Sequence, residues 1–132
     1  MIDYEVKIFN AVYPYVAPLC ANKRFVSTII TEAPTAFPAA SLMEMDNKTV
    51  RARQSSTPVE NYALVTYRLE VYATTKSACR AILTAADNAM IALNFTRISG
   101  YYIDNPTNTK VFRYVAKYEA EIDTEGNIYR RK

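Results

Sequence analysis

The chain has 132 residues, half of them hydrophobic and 22% charged, and carries a net charge of +3. That is material for one hydrophobic core and excludes a disordered polymer, but it is short for two domains, so a single domain over 1–132 is expected. No apolar run approaches the ~18 residues needed to cross a bilayer, and Arg130, Arg131 and Lys132 hold the whole charge excess, which argues against a membrane partner or a specific nucleic-acid partner.

In chain order, the start is acidic (Met1-Ile2-Asp3-Tyr4-Glu5) and leads into no signal-like apolar region, so an unprocessed cytoplasmic chain is expected. A helix follows, with Asp3 as its cap and Ile2, Val6, Phe9, Tyr13 and Val16 as its apolar stripe. Pro14 predicts a stop or kink near Val12 and Tyr13. The β-branched run 25–31 predicts a strand and the two prolines within 33–38 a loop; residues 41–46 read as a second strand. The polar stretch 47–61 is long for a connection and is expected to be a mobile loop.

The second half has clearer periodicity. Residues 62–73 alternate, with Ala63, Val65, Tyr67, Leu69 and Val71 on one face and Thr66, Arg68, Glu70 and Tyr72 on the other. Thr74 and Thr75 offer a helix cap, and 76–93 reads as a helix with Cys79, Ile82, Leu83, Ala86, Met90 and Leu93 toward the core and alanines 78, 81, 85, 89 and 92 flanking them. A strand over 96–103 precedes the turn residues Asp104-Asn105-Pro106. A second alternating strand over 111–123 follows, with Phe112, Tyr114, Ala116, Tyr118, Ala120 and Ile122 inward. A turn at 124–127 and a short closing strand at Ile128 and Tyr129 complete the order. It predicts an α+β fold: a mixed or mostly antiparallel sheet of about four to five strands, with two helices packed on it and the last two long strands antiparallel.

Catalytic equipment is hard to assemble from this composition. There is no histidine, which removes the commonest general base, and the two glycines, Gly100 and Gly126, are too far apart for a phosphate loop. Glu44/Asp46 and Glu119/Glu121 each sit two residues apart on strands, which places each pair on one face, but alternating charge is the ordinary pattern of a solvated sheet face. Cys20 and Cys79 read as buried free thiols. No enzyme, no metal and no cofactor are therefore expected. Eleven tyrosines are the compositional surplus, and Tyr62 and Tyr72, read as outward-facing, join Lys48, Arg51 and Arg53 of the polar stretch as candidate interface residues.

The stretch LVTYRLEVYATTKSACRAILTAADNAMIALNF, followed by RISGYYIDNPTNTKVFRYVAKYEAEID, resembles the tail terminator (tail completion) proteins of long-tailed bacteriophages and prophages. An alternating strand leads there into an alanine-rich helix, and a strand pair ends in a tyrosine-rich alternating segment. The resemblance covers 62–123 as a residue pattern and most of the chain as an order of elements. It implies a structural virion protein: a homo-oligomeric ring, commonly a hexamer, that caps the tail tube protein and joins the tail to a head-neck protein. It implies a place in the host cytoplasm during assembly and in the tail or neck of the virion, and no catalytic residues. Another neck or head-completion protein, or a non-phage protein-binding module, is the alternative.

Overall fold

The computed structural model describes residues 2–20, 25–27, 38–50, 62–103 and 111–129. The order is α1 (Glu5–Val16) with a 3₁₀ turn (Ala17–Leu19), β1 (Phe25–Val26), β2 (Ala39–Thr49), β3 (Tyr62–Ala73), α2 (Lys76–Ala92), β4 (Thr96–Ile103), β5 (Phe112–Asp123) and β6 (Ile128–Tyr129). One mixed sheet runs β1-β2-β3-β5-β4, with β6 also paired to β5; only β1 and β2 are parallel. Both helices contribute to one core with the sheet, so the α+β architecture is as expected. No helix among the described residues is long and apolar enough to cross a membrane.

The core lies where the two periodicities meet. From β3 come Ala63, Val65, Tyr67, Leu69 and Val71, from β5 Ala116, Tyr118, Ala120 and Ile122, and from α2 Cys79, Ile82, Ala86 and Met90, all buried. Phe95 closes the layer, its ring edge-on to Tyr67 at 5.2 Å. The Thr75 hydroxyl accepts the Ala78 N–H at 3.1 Å and starts α2, as the sequence implies. Leu83 and Leu93 are only partly buried against the core, and Ala81 and Ala92 face out.

Several expectations change. Tyr4, not Asp3, takes the cap position of α1 and makes no side-chain cap bond, while Asp3 Oδ1 accepts the Glu5 N–H at 3.3 Å. Ile8, Val12 and Val16, four residues apart, form the buried line, and Val6 is 74% exposed. Phe9 and Tyr13 instead gather against Phe25, with ring centroids 4.7 and 6.2 Å from it. Tertiary packing thus turns the aliphatic row inward and sets the aromatic row beside it. Pro14 does not end the helix, which runs to Val16; the amide it removes would have met the carbonyl of Asn10, an exposed residue open to water.

Asn47, Lys48 and Thr49, read as loop, belong to β2, paired with Val65, Leu64 and Ala63. Partnering with β3 overrides their weak strand propensity. The remainder of the 47–61 stretch beyond Val50 lies outside the described residues, as do 28–31 of the first expected strand and the Asp104-Asn105-Pro106 turn.

A bulge at Met45 shifts the register of β2: Glu44 opposes Tyr67 on the helix-covered face, and Asp46 opposes Thr66 on the other. The two carboxylates therefore do not share a face, contrary to the spacing argument. A like shift at Ile98 in β4 puts Arg97 on the helix-covered side, opposite Tyr118, and Ser99 on the far side, opposite Lys117.

Candidate functional site

Three polar assemblies stand out, each placed by a strand or helix already described. The first is a cleft of about 530 Å³ between α2 and β4. Arg80, Thr84 and Asp87 recur at spacings of four and three along α2, so they form one stripe facing β4. The Asp87 carboxylate accepts from Arg97 Nη1 at 3.0 Å and from the Tyr118 hydroxyl at 2.7 Å, both on Oδ1. Burial, then this bond to a carboxylate, pushes the Tyr118 hydroxyl far above its ordinary pKa. Tyr114 also lines the cleft beside Gly100: a Cβ built on Gly100 would lie 2.5 Å from the Tyr114 hydroxyl oxygen. Glycine at that position lets the phenol pass over the β4 backbone. Lys76 stands over the Tyr102 and Phe112 rings, 5.7 and 5.8 Å from their centroids.

The cleft borders the last strand of the sheet. β4 pairs with β5 on one side, and no described strand lies beyond it. Ile98, Tyr101 and Tyr102 are exposed along it at 48%, 46% and 36%. A strand in this position presents backbone donors and acceptors to whatever approaches.

The second assembly is on the sheet face away from the helices. Glu70 is 3% exposed and accepts on Oε1 from both Arg68 and, at 2.7 Å, Arg113; Tyr72 donates to Oε2 at 3.2 Å. The Arg113 guanidinium also lies over the Tyr72 ring, 5.5 Å from its centroid. Burial raises the Tyr72 hydroxyl pKa first, and the Glu70 charge adds to it, with Arg113 opposing. The Nε–H of each arginine is buried without a partner. This is a buried ion cluster with two cations on one carboxylate.

The third is an acidic rim where α1 begins against β2. The Glu44 N–H donates to Glu5 Oε2 at 2.6 Å, and Asn47 Nδ2 donates to the carbonyl of Ile2 at 2.7 Å and to Glu44 Oε1 at 3.4 Å. Asp3 adds one more carboxylate, while Asp46 lies on the other sheet face, where its Oδ2 is 3.4 Å from Lys48 Nζ. Desolvation, then Glu5 and Asp3, hold the Glu44 carboxyl above its ordinary pKa, and the Asn47 amide eases it. The Tyr67 hydroxyl, beside Glu44 inside the core, does not reach hydrogen-bonding geometry with any partner. No group of three or more metal-type ligands occurs among the described residues.

The expected interface residues fall partly outside the described residues. Lys48 is exposed on β2, Tyr62 is half-buried with its ring edge-on to Tyr129 at 5.9 Å, and Arg51 and Arg53 lie outside the described residues. Tyr72 lies on the sheet face away from the helices, as read, but is buried there, its hydroxyl on Glu70 and its ring under Arg113. Strand alternation assigns a face but not what covers it, so the buried state of Glu70 and Tyr72 was not readable. Periodicity does not mark Arg80, Arg97, Gly100 and Tyr114 as a site; its one signal is the stripe of polar residues at 80, 84 and 87 flanking the predicted core side of α2. Cys20 and Cys79 are buried free thiols, as expected, and burial pushes Cys20 up to about 11. In comparisons with known proteins, no family model and no curated protein matches the chain.

Proposed function

We propose that the chain is a non-enzymatic structural subunit of the phage tail terminator kind. It assembles with copies of itself into a ring, with six the expected number, that caps a tail tube protein and meets a head-neck protein. It would act in the host cytoplasm during assembly and then in the tail or neck of the virion. One observation carries the reading: the β4 strand ends the described sheet and exposes Ile98, Tyr101 and Tyr102 beside the cleft. Unpaired strand edges are aggregation hazards that monomeric proteins blunt with lysine, proline or covering elements, whereas an assembly subunit uses them as contact surface. A ring requires two different patches per subunit that meet head to tail. The resemblance of residues 62–123 to tail terminators supplies the specific identity.

Negative-stain microscopy of the purified chain tests it. Closed rings of uniform diameter are the expected result, and fields of single ~15 kDa particles at every concentration would sink the reading. A Tyr101→Lys, Ile98→Lys variant should remain folded and lose the rings, since lysine on a strand edge opposes pairing.

A further inference from the structure

The two ends of the sheet carry opposite charge. At the β4 end, Lys76, Arg80 and Arg97 stand against the single carboxylate Asp87. Arg80 is exposed and has no hydrogen-bond or ion-pair partner among the described residues, whereas Arg97 is engaged by Asp87 through one Nη. At the β2 end, on the helix-covered side, Asp3, Glu5 and Glu44 stand against Lys7, while Asp46 and Lys48 pair with each other on the far face. Three strand intervals separate β2 from β4 in the order β2-β3-β5-β4, a span of roughly 14 Å at the usual spacing between strands. One copy therefore presents a basic patch and an acidic patch at opposite ends of one sheet. Among the described residues no cation pairs with Glu44, whose carboxyl is held above its ordinary pKa by burial first and then by Glu5 and Asp3.

We infer that the α2–β4 cleft of one copy receives the acidic α1–β2 rim of the next copy, with Arg80 meeting the carboxylates around β2. This rests on the ring reading above and specifies its contact. The occupant is a second copy of this chain because the complementary charge is on the chain itself. The ring reading requires the contact to be head to tail; a two-fold pair in which each cleft meets the other's rim would instead close as a dimer. A head-to-tail contact uses different surfaces on the two partners and leaves one of each free after every addition, so it propagates until the ring closes. Exposed Ile98 and Met45, on the two bulges, stand beside the charged groups as apolar contact area.

Two variants built on exposed residues test the pairing. Arg80→Glu with Ile98→Glu makes the cleft end acidic; Asp3→Lys with Val6→Lys, both exposed beside Lys7 at the start of α1, makes the rim end basic. Each is first checked for a wild-type circular-dichroism spectrum and melting profile, and mass is then read by sedimentation velocity at about 0.1 M salt. Each variant alone should be monomeric, its subunit contact weakened about 100-fold or more. Mixed one to one, they should reassemble into species larger than a dimer in which the two variants alternate, because the native cleft meets the native rim and the acidic cleft meets the basic rim. If the wild type assembles but the rim variant alone still forms dimers, or the mixture stays monomeric, the inferred contact is wrong and the ring reading stands. If the wild type itself is monomeric throughout, both fail.

Discussion

Among the described residues Glu70 is the one charged side chain that is buried, and it neutralises two guanidinium groups at once. Removing the carboxylate in Glu70→Leu would leave Arg68 and Arg113 packed together without a counter-ion, each with a buried Nε–H already unmatched. The two guanidiniums keep 24% and 29% of their side-chain surface in water, so the loss in urea unfolding should be about 1–3 kcal/mol rather than that of a fully buried pair. A loss below about 1 kcal/mol would mean that water already solvates the cluster. The sequence could not announce this residue: Arg68, Glu70 and Tyr72 alternate as a solvated face does, and only the assembled sheet shows them covering one another.

Glu44 gives a prediction with a pH sign. Its folded carboxyl lies above the ordinary value of 4.5, from burial and then from Glu5 and Asp3. The folded state therefore binds this proton more tightly than the unfolded chain does. Stability is fullest below the unfolded value and declines as pH rises through the raised one. Glu44→Gln keeps an oxygen for Asn47 and removes the charge, so its melting temperature should gain on wild type between about pH 4 and pH 7. A difference that is flat across that range would show that Glu44 does not feel the two neighbouring carboxylates.

At the scale of elements, α2 and the β3–β5 pair were legible because burial and periodicity agree along their whole length. Ile82 and Met90 lie on the predicted face and are fully buried. Ile82→Ala should cost about 2–5 kcal/mol in denaturant unfolding. Leu83→Ala should cost less, because Leu83 is only partly buried and lines the cleft; the reverse order would mean that α2 is rotated from the face described. Strand bulges were not legible. Met45 and Ile98 look like ordinary alternating residues, yet each shifts the pairing by one and sends the following side chains to the opposite face. The rotation of α1 was hidden for a related reason, since two apolar rows share that helix and only Phe25 and the sheet decide between them. Gly100→Ala probes the β4–β5 contact: its methyl would collide with the Tyr114 hydroxyl, whose ring is held edge-on by Tyr102 at 4.8 Å. A destabilisation of about 1–3 kcal/mol is expected, and a neutral result would show that the phenol swings away freely.

For the whole molecule, sheet order decides what the surface can do. Placing β4 last leaves a strand of eight residues beside a basic cleft, while β2, which the two-residue β1 covers only at Ala40 and Ser41 toward the other edge, carries the acidic rim against which α1 begins. Neither end was visible in composition, because the charges cancel over the chain and are separated only by the path of the strands. The element order was readable, and with it the α+β class; the polarity of the sheet from end to end was not. In the proposed assembly these two ends meet in a closed ring. Sedimentation velocity of the unmodified chain over a wide concentration range, at low and at high salt, addresses it most directly. The account predicts a single species several times the 15.0 kDa monomer at low salt, with stepwise dissociation as salt screens the opposed charges. A species of monomer mass at every concentration and every salt would contradict it.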